Sequence, residues 1–146
     1  MKVTLNRENK YFYFIAENES NLLLNIDGSS SIGGENKGFS PMELMLSGMA
    51  SCSTIDLLLI LKKQKQIVDN IKIVATAERT DTKSKAFKSV NLHYILDGVI
   101  SSLKLQKAID LALTKYCSAI LSLNPDVIIT SSYHINKVED WTWTII

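Results

Sequence analysis

The chain is poor in the residues from which metal centres and disulfide scaffolds are built. Its 146 residues include two cysteines and two histidines. Two cysteines are too few for a structural zinc site, and the two histidines do not fall at metal-ligand spacing. We therefore predict no metal and no cofactor. In a reducing compartment, the two cysteines are not expected to form a permanent disulfide.

Arginine and net charge are scarce as well. The two arginines are Arg7 and Arg79, and lysines supply the remaining basic side chains. The formal net charge is +1 at pH 7, so no excess of positive charge favours nucleic acid or an acidic membrane surface. We predict neither as a partner. An arginine in an active site must then be Arg7 or Arg79, unless a partner chain supplies it.

Long apolar runs are also missing. The most apolar run, "LLLIL", is bounded by Asp56 and Lys62, whereas a membrane-spanning helix needs about 20 predominantly apolar residues. The N-terminal stretch "MKVTLNRENKYF" carries charge early and has no apolar core of a signal peptide. These features predict a cytoplasmic protein.

Strand patterns dominate the first part of the chain. Segments 2–6, 11–16 and 21–26 are rich in β-forming residues and are separated by the turn-like "RENK" and "ENES". They predict an antiparallel meander of three strands. Residues 27–40, "DGSSSIGGENKGFS", have the composition of a loop.

A strong helix-start signal ends this loop. Ser40 is a good N-cap, Pro41 suits the first helical position, and Glu43 completes a capping box. The signal predicts a helix from Pro41 to about Lys65 or Ile67.

Apolar side chains occur nearly all round this helix, which predicts burial on most sides. A chain of 146 residues has little material to surround such a helix, so we predict a second copy of the chain, in a homodimer. The small residues of 47–53 would let another backbone approach closely; a tight contact with a strand of the same chain is the alternative. The apolar residues are Leu44, Leu46, Met49, Ile55, Leu57, Leu58, Leu59 and Ile60.

The second half of the chain predicts a further antiparallel pair, a helix and a last strand. The helix is expected over 101–117, with its core-facing positions continuing to Ile120, and Asn124–Pro125 ends it. The order is βββ-α-ββ-α-β, an α+β fold in a single domain over 1–146, with 138–146 as a C-terminal tail. The alternating faces are Ile71, Ile73, Ala75 and Ala77, and Val90, Leu92, Tyr94 and Leu96; the helix faces the core with Ile109, Ala112 or Leu113, Tyr116 and Ile120.

The two cysteines have two interpretations. Cys52 is either a small buried apolar residue or a reactive thiol, since its neighbours Ser51 and Ser53 are poor choices for a purely structural helix. Cys117 also lies beside a serine, near a helix end. Asp56, one turn beyond Cys52, is expected to raise the pKa of that thiol.

Beyond composition and periodicity, the segment "SPMELMLSGMASCSTIDLLLILKKQ" resembles the signature helix of the OsmC/Ohr family, the osmotically inducible and organic hydroperoxide resistance proteins. "AIDLALTKYCSAI" resembles the segment that carries the second cysteine of that family. The sequence of these two segments is most like that of the YhfA-like branch. The resemblance covers about residues 1–137 and implies an OsmC-like domain with a long buried central helix, in an intertwined homodimer.

The resemblance also implies a thiol peroxidase that reduces organic hydroperoxides in oxidative-stress defence. Cys52 would attack the peroxide and become a sulfenic acid, and Cys117 would condense with it to a disulfide. An external dithiol, of lipoyl or thioredoxin type, would reduce that disulfide. In hydroperoxide-reducing members an N-terminal arginine stabilises the thiolate, which makes Arg7 and Glu43 the candidates here.

The chain departs from the family pattern at Glu43. The family glutamate directly follows the helix-starting proline, but Met42 follows Pro41, and Glu43 comes one position later. Nine residues at 100° each place Glu43 opposite Cys52 on the helix. A non-catalytic alternative therefore remains: a dimeric binding protein whose inter-subunit groove, lined by Met42, Met45 and Met49, holds a small apolar ligand.

Overall fold

A computed structural model describes residues 1–136, so the tail predicted at 138–146 lies outside the described residues. Strands and helices follow the order βββ-α-ββ-α-β, with two sheets of three strands each. The predicted α+β fold class is confirmed. The chain divides into two compact units, Met1–Met45 and Leu46–Ile146, and the prediction of a single domain stays a prediction.

The first unit contains the predicted meander. Its strands are β1 (Val3–Arg7), β2 (Phe14–Asn18) and β3 (Leu23–Ile26), all antiparallel, with β2 between the other two. Each strand begins slightly later than the sequence pattern predicts.

One buried carboxylate holds the loop that follows β3. Asp27 is 2% exposed and accepts backbone N–H groups from Gly28 (2.7 Å), Glu35 (3.1 Å) and Lys37 (3.0 Å). The bond from Lys37, ahead of the others, lowers the pKa of Asp27 from its ordinary value. Because the folded-state pKa is lowered, this stabilisation is present above the ordinary carboxyl pKa and is lost as the pH falls through the folded-state value.

Helix α1 (Pro41–Lys63) begins at the predicted residue. The backbone N–H of Ser40 donates to the Glu43 carboxylate (2.7 Å), and the backbone N–H of Glu43 donates to Ser40 Oγ (3.3 Å). This is the predicted capping box, which satisfies two N–H groups that a helix start leaves unpaired.

The same helix ends without glycine or proline. Lys65 takes the left-handed conformation, with φ 57°. The N–H groups of Lys65 and Gln66 donate to the carbonyls of Lys62 and Leu61, each at 3.0 Å. This pair of bonds closes the helix in a Schellman motif, slightly before the predicted end.

The second unit contains the larger sheet. Strands β4 (Ile67–Arg79) and β5 (Phe87–Val99) are antiparallel, and β6 (Ile128–Ile135) runs parallel to β5, which lies in the centre. The predicted inward face of β5 is confirmed, and the parallel pairing of β6 is an addition. The fully buried residues of β5 are Val90, Leu92, Tyr94 and Leu96.

Within the second unit, α1 buries one stripe only. The stripe repeats about every turn and consists of Met49, Ser53, Leu57 and Leu61. Ile55 and Leu59 are 60% and 53% exposed. Residues 46–136 thus cover one side of the helix, and the predicted burial on most sides stays a prediction.

Helix α1 is also long and apolar enough to cross a membrane, judged by length and composition alone. Counting only the "LLLIL" run underestimated its apolar character, because alanines, glycine and hydroxyl residues interrupt the apolar positions without adding charge. This is weak evidence for a span, since the core helix of a soluble protein passes the same test.

Two small residues of α1, Ser53 and Gly48, have different surroundings. Ser53 accepts a hydrogen bond from the Tyr94 hydroxyl (2.9 Å) and donates to the Ala50 carbonyl (3.0 Å), so it satisfies a buried phenol. A Cβ atom added to Gly48, by contrast, would meet no atom of residues 46–136 within 4 Å. Within residues 46–136, Gly48 therefore makes no tight contact with a strand.

The second predicted helix is interrupted. Helix α2 (Ser102–Leu111) continues as one wide π turn (Ala112–Tyr116), the backbone extends at Cys117, and a short helix α3 (Ser118–Leu121) follows. Ala112 is buried as predicted. Tyr116 was predicted to face the core and is instead 49% exposed, because the wide turn rotates the residues after Ala112 out of the α-helical register.

Candidate active site

Both cysteines lie at one site, 65 positions apart in sequence. The sulfurs of Cys52 and Cys117 and a carboxylate oxygen of Asp56 all lie within 4.8 Å of one another. Both thiols are free; Cys52 is partly exposed and Cys117 is buried. The predicted proximity of the two cysteines is thus present in the second unit.

The interruption between α2 and α3 delivers Cys117 to this site. The Thr114 hydroxyl donates to the Asp110 carbonyl (2.6 Å), a back-bond that competes with the regular helix ladder. The N–H of Cys117 then reaches the Ala112 carbonyl (2.8 Å), one residue farther than in an α-helix. Such π turns are frequent at functional sites.

Hydrogen-bond donors surround the Cys52 sulfur. The backbone N–H of Ala119 contributes most to lowering the pKa of Cys52 from its ordinary value of 9.0, and the Cys117 thiol and the Ser118 hydroxyl lower it further. Ser118 Oγ lies 3.8 Å from the sulfur. Burial and the negative charge of Asp56 oppose this shift. The net effect favours the thiolate, which is the nucleophilic form.

Cys117 has the opposite character. Its side chain is fully buried, and its thiol donates to the Met49 carbonyl at 3.9 Å. Burial, more than any other cause, raises the pKa of Cys117 to about 11. One site therefore holds a thiol that ionises readily and a thiol that stays protonated.

This difference predicts the order in which the thiols are alkylated. Cys52 ionises at a lower pH than an ordinary thiol, so iodoacetamide should label it at a lower pH than it labels free cysteine, while Cys117 stays unlabelled until the pH approaches about 11. Peptide mass spectrometry across a pH series measures both. Equal labelling rates at every pH would contradict the assigned environments.

Within its own unit, each charged residue proposed for the site is exposed or makes other bonds. Arg7 ends β1 and is exposed, and within residues 1–45 its guanidinium makes no hydrogen bond or ion pair. The Glu43 carboxylate is bonded in the capping box, which lowers its pKa. Arg79 donates to the Lys85 carbonyl and closes the β4–β5 connection.

The site also contains side chains that could hold a metal ion, while the absence of a metal stays a prediction. Two sulfurs and a carboxylate oxygen are a donor set that a zinc-type cation accepts. The donor set fits such an ion, and assays of the thiols therefore need a chelator.

Ser118 and the backbone N–H of Ala119 are additions to the site predicted from the sequence. "CS" at 117–118 was a visible signal for the serine. The position of the Ala119 N–H depends on the interruption of the helix at Cys117. Neither proline nor glycine marks that interruption in the sequence. One residue of the alternative ligand groove was wrong: Met49 is 2% exposed and belongs to the core, while Met45 is 48% exposed.

Comparison with known proteins identifies the family. The model of OsmC-like proteins matches residues 34–132, which is more than half of the chain. The chain belongs to the OsmC-like family. Protein YhfA of Escherichia coli strain K12 is 36% identical over 123 residues, which are 84% of this chain and 89% of YhfA.

Solved structures of similar proteins have the same fold as this OsmC-like chain. A hypothetical protein from Aquifex aeolicus VF5 is 28% identical, with a TM-score of 0.77 over 93% of this chain and 97% of its own. An organic hydroperoxide resistance protein OsmC from Legionella pneumophila is 18% identical, with a TM-score of 0.70 over 91% and 96% of the two chains. The latter likeness concerns the fold alone.

Proposed function

We propose that this OsmC-like protein is a cysteine-dependent reductase of organic hydroperoxides that acts in oxidative-stress defence. The observation that carries the proposal is the pairing of a partly exposed Cys52, whose pKa is lowered, with a buried Cys117 within 4.8 Å. Cys52 is the peroxidatic residue, and Cys117 is the resolving residue. The name of the Legionella neighbour, an organic hydroperoxide resistance protein, supports the substrate class.

The reaction has three steps. The Cys52 thiolate attacks the terminal peroxide oxygen, the O–O bond breaks, and the alkoxide takes a proton to leave as an alcohol. Cys117 then attacks the sulfur of the Cys52 sulfenic acid, which forms the disulfide and releases water. An external dithiol of lipoyl or thioredoxin type restores both thiols and becomes a disulfide itself.

The second step begins with the two sulfurs close together. The two sulfurs start within 4.8 Å and must approach to about 2 Å. Cys52 is partly exposed and can meet a peroxide, while burial protects Cys117 from direct oxidation. The division of roles follows from these exposures.

A positively charged side chain that stabilises the Cys52 thiolate is a separate proposal. Among residues 46–136, hydrogen bonds and not a lysine or arginine are the leading causes of the lowered pKa of Cys52. We propose Arg7 as the arginine that approaches the thiolate and Glu43 as its anchor, on the basis of the family resemblance of the sequence. Arg7→Lys should then slow the reaction with peroxide, because a lysine cannot reproduce the planar guanidinium fork.

We also propose a cytoplasmic homodimer in which the uncovered side of α1 meets a second copy. Gly48, Ile55 and Leu59 are spaced by seven and four residues and so lie along that side. A second α1 would cover the apolar stripe, and Gly48 would permit close approach.

Gly48→Leu tests the assembly. A side chain at Gly48 meets open space within residues 46–136, so the variant should fold as a single chain. Light scattering should then give the mass of a monomer. Gly48→Ala is the matched control and should keep the dimer. A wild-type protein of monomeric mass at micromolar concentration would contradict the proposed assembly.

The experiment that tests the function counts thiols before and after one equivalent of cumene hydroperoxide, in the presence of a chelator. The reductase should lose two thiols per chain and release cumyl alcohol. The alternative, a dimeric binding protein for a small apolar ligand between subunits, would lose none and would carry an apolar molecule detectable by native mass spectrometry. Loss of no thiol on the time scale of free cysteine oxidation would refute the reductase.

A further inference from the structure

The buried residues from α2 to α3 change their helical spacing once. An α-helix that kept its spacing after Ala112 would next bury Tyr116, but Tyr116 is 49% exposed. The next buried residue is Cys117, which is fully buried one position later. Up to the change, the fully buried residues follow the three- and four-residue steps of an α-helix: Leu105, Ala108, Ile109 and Ala112.

The wide π turn therefore selects which of two neighbouring side chains enters the core. The N–H of Cys117 donates to the Ala112 carbonyl (2.8 Å), whereas an α-helix would pair it with Leu113. One residue corresponds to a rotation of about 100° around the helix axis. In the α register Tyr116 would face the core, and in the observed π register Cys117 takes that place. Ile120, three positions after Cys117, is 7% exposed, so α3 continues the new register.

The π register is the one that brings the resolving sulfur to the site. In it the Cys117 sulfur lies 3.9 Å from the Met49 carbonyl oxygen on α1. The next residue, Ser118, then places its hydroxyl oxygen 3.8 Å from the Cys52 sulfur. Both contacts require that the chain at 117–118 be turned toward α1. A return to the α register would rotate Cys117 away from Cys52.

Thr114 makes a bond that belongs to this turn. Its side chain is exposed, so it adds little buried apolar surface. Its hydroxyl donates to the Asp110 carbonyl (2.6 Å), just ahead of the wide turn. Hydroxyl bonds to the carbonyl four residues earlier compete with the backbone ladder and often bend a helix. The hydroxyl of Thr114 therefore favours a departure from the α register at the point where one occurs.

We propose that Thr114 is a positioning residue for the resolving thiol: its hydroxyl favours the register in which Cys117, and not Tyr116, faces Cys52. This inference rests on the proposed function for its reaction, in which Cys117 attacks the oxidised Cys52 sulfur. Thr114 acts through the place that Cys117 takes, and it needs no contact with either reacting sulfur.

The test uses dithionitrobenzoate on the reduced protein with a chelator present, and it needs no peroxide. Cys52 displaces one coloured thiolate from the reagent. Cys117 then displaces the second from the mixed disulfide, as the bond between the two cysteines forms. Thr114→Val removes the hydroxyl and keeps the branched shape. The first phase should keep its rate, and the second should slow about threefold, which corresponds to the lower part of the net strength of one hydrogen bond.

Two single variants are the matched controls. Thr114→Ser keeps a hydroxyl at the same position and should keep the second phase at the wild-type rate. Ser122→Ala removes a bond of the same kind, from the Ser122 hydroxyl to the Ser118 carbonyl (2.8 Å). That bond follows Cys117 in the chain, so its loss should leave both phases unchanged.

A double variant separates the choice of register from a general loss of structure. Tyr116→Gln puts an amide where the α register needs a core residue, and burial of an amide without a partner is costly. Added to Thr114→Val, it should restore the second phase to the wild-type rate, although it restores no bond to Asp110. A variant that had merely lost stability would gain nothing from this second change.

Three outcomes overturn the proposal. They are a second phase of wild-type rate in Thr114→Val, equal slowing of both phases, and failure of Tyr116→Gln to restore the second phase. A wild type that releases a single coloured equivalent overturns it as well, since Cys117 would then not face Cys52.

The outcome is independent of the peroxidase assay. If the wild type shows both coloured phases and the variants behave as expected, but cumene hydroperoxide removes no thiol, the proposed function fails while the role of Thr114 stands. If hydroperoxide removes two thiols and Thr114→Val closes its disulfide at the wild-type rate, the role of Thr114 alone fails.

Discussion

Replacement of Cys52 by serine is expected to abolish the consumption of organic hydroperoxide. A serine hydroxyl keeps the hydrogen bond that Ser118 makes to this position, but it does not ionise near neutral pH and cannot form a sulfenic acid. Consumption of cumene hydroperoxide with a lipoyl dithiol as reductant measures the loss. A variant that keeps more than the rate of free dithiol would show that Cys52 is not peroxidatic.

Cys117→Ser provides the matched comparison. It removes the resolving thiol and leaves Cys52 with its Ala119 donor. One oxidation per chain should occur, followed by a sulfenic acid that dimedone traps and that further peroxide overoxidises. Sustained turnover of this variant at the wild-type rate would show that the external dithiol resolves Cys52 directly.

A large loss of stability is expected from Leu105→Ala. The Leu105 side chain is fully buried on α2, and removing a buried leucine side chain costs about 2–5 kcal/mol through lost burial and the cavity left behind. This is a large share of a total free energy of unfolding of about 5–15 kcal/mol. Urea unfolding followed by circular dichroism measures the change.

Leu103→Ala is the matched control on the same helix. Leu103 lies two residues earlier and is 67% exposed, so its truncation should stay within about 0.5 kcal/mol. Equal losses in the two variants would mean that the Leu103 side is covered in the assembled protein. A negligible loss in Leu105→Ala would contradict the packing of α2.

Local signals predicted most of the fold because several of them agree at each element. The capping box at Ser40 and Glu43 and the alternation along β5 appear in the structure as expected. The end of α1 was less certain from sequence, since Lys65 takes a left-handed conformation usually given to glycine. Long-range features, such as the parallel pairing of β5 with β6, have no local signature.

The candidate site was predictable to a smaller extent. The helical pattern through 101–120 hides the break at Cys117, because the break depends on the Thr114 back-bond and on tertiary packing rather than on a helix-breaking residue. Without that break, neither the Ala119 donor nor the buried state of Cys117 can be inferred. The charge balance around Cys52 was therefore out of reach, although the opposing effect of Asp56 was foreseen.

The distance in sequence between the two cysteines also affects the unfolded chain. A disulfide from Cys52 to Cys117 would close a covalent ring around β4, β5 and α2. A ring of about 66 residues removes conformational freedom that is equivalent to roughly 4 kcal/mol from the unfolded state. The protein would be hardest to melt or digest just after it has spent its reducing equivalents. Each reduction by the dithiol would return the protein to a form that unfolds and is digested more readily.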